Sequence, residues 1–233
     1  MNSEAPSYRG YRFPPLIISH AVWLYHRFCL SFRDAEDLLA QRGVTVSYET
    51  IRAWCRTFGP AYARTLRRRQ GRVGDTWYLD ELFVNIQGTQ HYVWRAVDQD
   101  GDVIDLLVQS RRDRRAAARF FRKLLKRQGR APRRVVTDKL RSYAAAHRTA
   151  MPSVLHSTRQ YENNCAEVSH QPTRHRERQM RRFKSAEHAQ RFLSVHGLVG
   201  NLFRLGRHVV RAVTHRLLRT RAFSVWQNVT RAA

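Results

Sequence analysis

The sequence predicts an α/β protein, a layered domain on a mixed sheet preceded by a small all-α domain. Two observations carry this. Apolar residues recur at helical spacing up to about residue 70 and then switch to strand-like runs. Past the switch come three short apolar runs, an amphipathic helix, a β-branched run and then mostly helix. That is the order of an antiparallel meander followed by a helical crossover to a parallel strand.

The elements follow in turn. LIISHAVWLYHRF, residues 16–28, is apolar on helical spacing, with Pro14 and Pro15 at a natural helix start. Ser31 and Asp34 have the spacing of a capping box for a second helix, with Ala35, Leu38 and Leu39 as its stripe and Gly43 to end it. Ser47 caps a third helix, SYETIRAWCRTF. Ile51, Trp54, Cys55 and Phe58 share one of its faces, while Tyr48, Glu49, Arg52 and Arg56 fall mostly on the other. By pattern this fits a helix-turn-helix in a DNA major groove and an ordinary three-helix bundle equally, and the chain's charge favours DNA. The basic run RTLRRRQGRVGD, residues 64–75, places the domain boundary. Residues 1–70 form the helical domain, 71–200 the α/β domain and 201–233 a helical tail.

TWYLDELFVNI, QHYVWRAVD and DVIDLLVQ, separated by Gly88 and by Asp100-Gly101, read as a three-strand meander. SRRDRRAAARFFRKLLKRQG then gathers Ala117, Phe120, Phe121, Leu124 and Leu125 on one helical face, ended by Gly129 and Pro132. RRVVTD suits a buried strand parallel to the first. The tail is amphipathic and carries Trp226. It suits packing against the α/β domain or, as the sharper reading, dimerisation.

Composition narrows the function. Lys and Arg number 43 against 18 Asp and Glu, a formal charge of +25, which calls for a polyanionic partner. The basic residues are interleaved with 42% hydrophobic residues and five Trp, which favours a folded enzyme or binder over a disordered charge-neutralising arm. Cys29, Cys55 and Cys165 form no CxxC pair, which argues against a disulfide framework and a structural zinc site. No apolar run reaches the roughly 20 residues of a membrane helix, and MNSEAPSYRGYRFPP is not a signal peptide. A cytoplasmic, nucleoid-associated bacterial protein without a membrane partner is expected. DQDGD, residues 98–102, has glycine fourth rather than sixth, so it reads as a hairpin turn and not a calcium loop. There is no P-loop, GxGxxG or HExxH.

Three acids stand out against this basic background. Asp80 sits mid-strand among Trp77, Tyr78, Leu79, Leu82 and Phe83. Burying even an unpaired polar group there costs about 2–7 kcal/mol. Its neighbour Glu81 points to the opposite sheet face, and spacing does not say which of the two faces a site. Asp138 ends a strand, where α/β sheets bind ligands, although an N-cap for the next helix explains it too. Glu167 opens a helix after Asn163 and Asn164, where the helix dipole also favours an acid. His170 and Arg174 follow on roughly the same face. Three carboxylates suit two Mg²⁺ or Mn²⁺ ions acting on a phosphodiester. HRERQMRRFK, residues 175–184, with Arg178, Arg181 and Arg182, reads as a track for the DNA backbone or as a solvated helix surface.

The strings DELFV with HYVWRAVD, RRDRRAAARFFRKLLK, VVTDK with SY, Y-x-NN-x-x-E with SHQPTR, RERQMRRFKS and AQRFLSVH resemble the DDE transposases of the bacterial insertion sequence six family. The likeness runs from the N-terminal helices to nearly the last residue. It implies an RNase H-like catalytic fold after a helix-turn-helix domain, binding of terminal inverted repeats and target DNA, and Mg²⁺-dependent strand cleavage and transfer. It implies Asp80, Asp138 and Glu167 as the catalytic, metal-holding set, with Asp80 chosen over Glu81. Lys139 follows Asp138 as in the family's TDK. Residues expected on DNA are Tyr48, Arg52, Arg56, Lys139, His170, Arg174, Arg178, Arg181 and Arg182. Holding two DNA ends at once calls for a homodimer or larger homo-oligomer. One departure is the interval of 29 positions from Asp138 to Glu167, shorter than is common in such enzymes. The shortening is expected after Ser142 and Tyr143, around AAAHRTAMPSVLH. Competing readings are a non-catalytic sequence-specific DNA-binding protein and a simple RNase H-like nuclease that cleaves without joining.

Overall fold

Local signals in the sequence set the elements of the computed structural model, which describes residues 6–71, 73–159, 161–164, 166, 169–180, 182–206 and 209–231. In chain order these are α1 (Pro15–Arg27), α2 (Phe32–Ala40), α3 (Tyr48–Arg69), β1 (Thr76–Ile86), β2 (Thr89–Asp98), β3 (Val103–Gln109), α4 (Arg114–Gln128), β4 (Arg134–Thr137), α5 (Arg141–Ala150), β5 (Leu155–Ser157), α6 (Gln171–Gln179), α7 (Ala186–Phe203) and α8 (Ala212–Thr230). They form two compact units. One is drawn from Met1–Gln70 and Ser194–Ala233, the other is Gly71–Leu193.

In the helical unit, Pro15 occupies the first position of α1. The capping box of α2 closes in both directions, with Ser31 N–H donating to Asp34 Oδ2 at 2.7 Å and Asp34 N–H donating to Ser31 Oγ at 3.0 Å. Ser47 Oγ accepts from Thr50 N–H and starts α3, which buries Ile51, Trp54, Cys55 and Phe58 as their spacing predicts. The helix does not stop near Phe58, however. It runs through Pro60 to Arg69, because Tyr62, Ala63 and Leu66 extend the buried stripe. That burial outweighs the one hydrogen bond Pro60 cannot make.

The tail is not a segment of its own and does not join the α/β unit. Residues from Ser194 onward group with the N-terminal helices, with Leu198, Phe203, Ala222, Trp226 and Val229 among their buried side chains. The Trp226 ring meets Tyr62 edge-on at 5.4 Å, Phe223 packs on Trp23 at 5.3 Å, and the Tyr8 hydroxyl donates to the Thr230 carbonyl at 2.6 Å. Among the described residues no helix is long and apolar enough to cross a membrane.

The other unit is a five-stranded sheet of order β3-β2-β1-β4-β5. β2 is antiparallel to β1 and β3, while β4 is parallel to β1 and β5 to β4. This is the RNase H-like arrangement. β5 was not read from the sequence, because three residues, Leu-His-Ser, carry no usable pattern. Gln87 and Gly88, both at positive φ, make the tight β1–β2 turn. Asp98 Oδ1 accepts from the N–H groups of Asp100 and Asp102, so DQDGD is the β2–β3 turn.

Asp113 caps α4 by accepting from Ala116 N–H at 2.8 Å, and Gly129 ends it at φ +66°. α4 and α5 then cover one sheet face, where Phe120, Phe121, Leu124 and Tyr143 pack on Trp77, Leu79, Trp94 and Val135. Buried Asp105 accepts from Lys123 at 2.6 Å and Arg127 at 2.5 Å, which ties α4 to β3.

Phe120 is fully buried at the centre of this layer. Phe120→Ala is therefore expected to lower stability by about 3–5 kcal/mol. Chemical denaturation of the full chain measures it, and a loss under about 1 kcal/mol would contradict the described core.

Candidate active site

The last residues paired between β1 and β4 are Leu79 and Thr137. Asp80 and Asp138 come next in each strand, so the parallel register sets them side by side at the carboxyl edge, where such sheets bind ligands. β1 continues past this point while β4 ends. Asp138 Oδ1 accepts from Leu140 N–H at 2.9 Å, bracing the entry to α5, whose N-cap position is Leu140. The helix-entry reading of Asp138 and its role in a site are thus compatible. Its Oδ2 lies 3.8 Å from Arg112 Nη2.

Asp80 Oδ1 accepts from Glu81 N–H at 2.7 Å, and its Oδ2 lies 3.3 Å from His170 Nε2. Glu81 turns to the face covered by α4 and α5, and its side chain is 2% exposed. Even so, one oxygen from each of Asp80, Glu81 and Asp138 lies within 4.8 Å of the other two. Glu81 therefore lies beside the two aspartates at this edge, although its Cβ points to the other face. Alternation fixes where Cβ points, but a longer side chain beyond the end of β4 still reaches the edge.

Arg112, in the turn before α4, was missed. Its Nε donates to Glu81 Oε1 at 2.5 Å, and its guanidinium lies over the Phe83 ring at 5.4 Å. The string RRD was visible in the sequence but read only as the approach to a helix. Burial first, then the Asp138 carboxylate, push the Glu81 carboxyl up, and the Arg112 ion pair opposes them. Tyr143 is buried beside this group. Desolvation first, then the Glu81 and Asp80 carboxylates, push its phenol well above the usual range.

The opposite sheet face carries the remaining groups. Arg95, across from Asp80 in the β1–β2 register, is buried and donates to the Ser169 carbonyl at 2.5 Å. Asn163 Nδ2 donates to the Leu79 carbonyl at 3.0 Å. These contacts dock residues on both sides of Glu167, which itself lies outside the described residues, as does Arg181. Asn164 and Ala166 are helical, Ser169 and His170 form a turn, and α6 starts at Gln171. His170 is the N-cap of α6 in helical conformation and its carbonyl accepts from Arg174 N–H at 3.0 Å, so these two lie one turn apart, while the turn at Ser169 separates them from the helical Asn164 and Ala166. Burial first, then Arg95 and Arg174, lower the His170 imidazole to about 4, so it is neutral near pH 7.

Among the other expected residues, Lys139, Arg174, Arg178 and Arg182 are exposed. Arg176 is instead fully buried with its guanidinium over Phe192 at 5.2 Å, so the basic run is not uniformly a surface track. In the helical unit Arg52 and Arg56 are exposed, Arg52 pairs with Glu49 at 2.6 Å, and the Arg33 guanidinium lies over the Tyr48 ring at 4.5 Å. The AAAHRTAMPSVLH stretch, expected as a shortened loop, consists of most of α5, the short connection after it and the start of β5, with Ala146, Met151 and Val154 buried.

Adjacent acids at the carboxyl edge of an RNase H-like sheet are the arrangement of a DDE domain. Residues 74–205 match the family profile described as a DDE domain, of the IS240 transposase type. The transposase for insertion sequence-like element IS431mec of Staphylococcus aureus (strain Mu50 / ATCC 700699) is 30% identical over 172 residues, covering 70% of this chain and 75% of that protein. The transposase for insertion sequence element IS257 in transposon Tn4003 of Staphylococcus aureus matches to the same extent. Among solved structures, the HTLV-2 integrase catalytic core domain in complex with magnesium (trimeric form) aligns at 12% identity with a TM-score of 0.42, over 64% of this chain and 99% of that one. The chain belongs to the DDE transposases of the insertion sequence six family.

The lowered His170 value has a consequence for stability. The unfolded chain takes up the His170 proton near 6.5 and the folded chain only near 4. In metal-free buffer, stability from this residue is present above pH 6.5 and is lost as pH falls towards 4, by about 2–3 kcal/mol. His170→Gln should flatten that part of a stability profile measured by denaturation, and an unaltered slope would contradict the assignment.

Proposed function

We propose that the protein binds the terminal inverted repeats of an insertion sequence and catalyses Mg²⁺-dependent cleavage and transfer of DNA strands, joining donor to target DNA. The observation that carries this reading is the adjacency of Asp80 and Asp138 beyond the last pair of the β1–β4 ladder. Family membership supports it.

The donor set fits a hard divalent cation. The oxygens of three acids lie within 4.8 Å of one another, and Glu81 Oε2 is buried without a hydrogen bond of normal geometry. Carboxylates crowded in this way repel one another unless a cation sits among them. All-oxygen ligation suits Mg²⁺ or Mn²⁺ rather than zinc. Asp80, Asp138 and Glu167 would hold two such ions. Bound there, they supply activation of a water or a DNA 3′-hydroxyl and stabilisation of the leaving oxygen.

The chain's own residues do the rest. His170 beside Asp80 is neutral and so does not compete as a cation for that carboxylate. Lys139, Arg174, Arg178, Arg181 and Arg182 hold phosphates of the reacting strand. Tyr48, Arg52 and Arg56 of α3 read the terminal repeats, with Arg52 exchanging Glu49 for DNA. An exposed pair of that kind is worth at most about 1 kcal/mol, so the exchange is cheap. In this reading residues 1–70, with the residues from Ser194 onward that group with them, carry the helix-turn-helix module, and residues 71–193 are the catalytic domain. The working form is a dimer or larger oligomer on paired DNA ends, in the bacterial cytoplasm with the nucleoid.

Two measurements test this. On paired-end substrates in Mg²⁺, Asp80→Ala and Asp138→Ala should each lower cleavage and joining by about 10³-fold, matching several kcal/mol of lost transition-state stabilisation. Unchanged products on a gel would remove the carboxylate mechanism, and cleavage without joined products from the unaltered protein would mark a nuclease instead. Arg52→Ala with Arg56→Ala should weaken binding to the repeats and make its salt dependence shallower, by about one in slope for each phosphate no longer neutralised. Equal affinity at physiological salt would remove α3 from recognition.

A further inference from the structure

We propose that Arg112 is a built-in counter-cation of the acidic centre that competes with the metal for it. The inference rests on reading Asp80 and Asp138 as metal ligands. Its physical basis is the unequal pair of contacts Arg112 makes. Towards Glu81 it is held closely, Nε to Oε1 at 2.5 Å, by a carboxylate whose side chain is only 2% exposed. Towards Asp138 it reaches only 3.8 Å. Phe83, two residues beyond Glu81 on the same face of β1, supports the guanidinium at 5.4 Å.

The Arg112–Glu81 pair is the fixed contact. A buried carboxylate stripped of its partner is strongly destabilising, and Glu81 Oε2 is already buried without a hydrogen bond of normal geometry. The Asp138 contact is the adjustable one. The Nη2 that reaches Asp138 also meets Glu81 Oε1, and the side chain is 35% exposed, so the guanidinium can pivot about Glu81 and lengthen the Asp138 contact while keeping its partner. A divalent cation among the three carboxylates repels the guanidinium, and the longer contact gives way first. In the metal-free protein Arg112 is therefore shared between Glu81 and Asp138. In the metal-loaded protein it stays on Glu81 alone. Arg112 steadies the acids before the metal arrives and weakens metal binding as the cost of doing so.

A merely structural role for Arg112 predicts that every substitution weakens metal binding. Competition predicts opposite signs. Mn²⁺ binding to the full-length protein without DNA, measured by calorimetry or by the loss of the free-ion electron paramagnetic signal, distinguishes them. Arg112→Gln removes a positive charge and should tighten Mn²⁺ binding by about threefold to tenfold. Glu81→Gln removes a negative charge and releases Arg112 onto Asp138, so it should weaken binding by about the same factor. The double variant Glu81→Gln with Arg112→Gln should return close to the unaltered value, and Arg112→Lys, which keeps the charge, should stay within about twofold of it. Unchanged or weaker binding by a folded Arg112→Gln protein overturns the proposal. If Arg112→Gln does not fold, the double variant must bind more tightly than Glu81→Gln alone, and equal or weaker binding overturns it. Asp138→Asn separates this from the underlying reading. If it binds Mn²⁺ as the unaltered protein does, the metal assignment itself fails, whatever Arg112 does.

Discussion

The β1–β4 ladder has to end where it does for the rest of the site to exist. Trp77, Leu79 and Val135 lock the two strands in register against Phe120, Phe121 and Tyr143. The final pair, Leu79 with Thr137, leaves Asp80 and Asp138 as the first residues beyond it. A slip of one residue in β1 would bring Glu81 to that position and turn Asp80 into the layer beneath α4 and α5. The hydrophobic pattern that makes the sheet therefore also fixes which carboxylates meet. Core packing and site geometry are set by the same few side chains.

Acids are scarce in this chain, and the structure treats them in two ways. Asp105 is closed off by Lys123 and Arg127 at 2.6 and 2.5 Å, and Glu162 is paired with Arg134 at 2.8 Å and with the Ser157 hydroxyl at 2.6 Å. Such acids tie elements together. Asp138 is different, with Arg112 no nearer than 3.8 Å and one oxygen committed to the start of α5. Asp138 thus differs from Asp105 and Glu162 in how closely a cation approaches it.

What the sequence made legible was what is local. The change of hydrophobic period marks the start of the sheet, Gly88 and Asp100-Gly101 mark its turns, and Ser31 with Asp34 marks a helix start that the structure closes with both hydrogen bonds. Asp80 was visible because a carboxylate in mid-strand is hard to explain by folding alone, and Asp138 because it comes at the end of a strand. The Arg112–Glu81 pair was not visible, since its members are 31 positions apart and meet only once the turn before α4 is placed. Alternation correctly sent Asp80 and Glu81 to opposite faces, but could not tell that β4 stops one residue earlier and leaves the edge open. Arg176 shows the same limit. Its run of basic neighbours gives no sign that this one turns inward onto Phe192.

The helical unit is discontinuous in the sequence, drawn from the two ends of the chain, while the sheet unit lies uninterrupted between them. During synthesis the sheet unit has all its residues before the helical unit does. Tyr62 of α3 acquires its neighbour Trp226, and Tyr8 the Thr230 carbonyl, only when the last helix is made. A chain that stops short of α8 would thus keep every residue of the sheet unit and lose part of the packing that holds α3. In such a fragment the acidic centre and the helical module become separable by chain length, and premature termination removes support from the second while leaving the first complete.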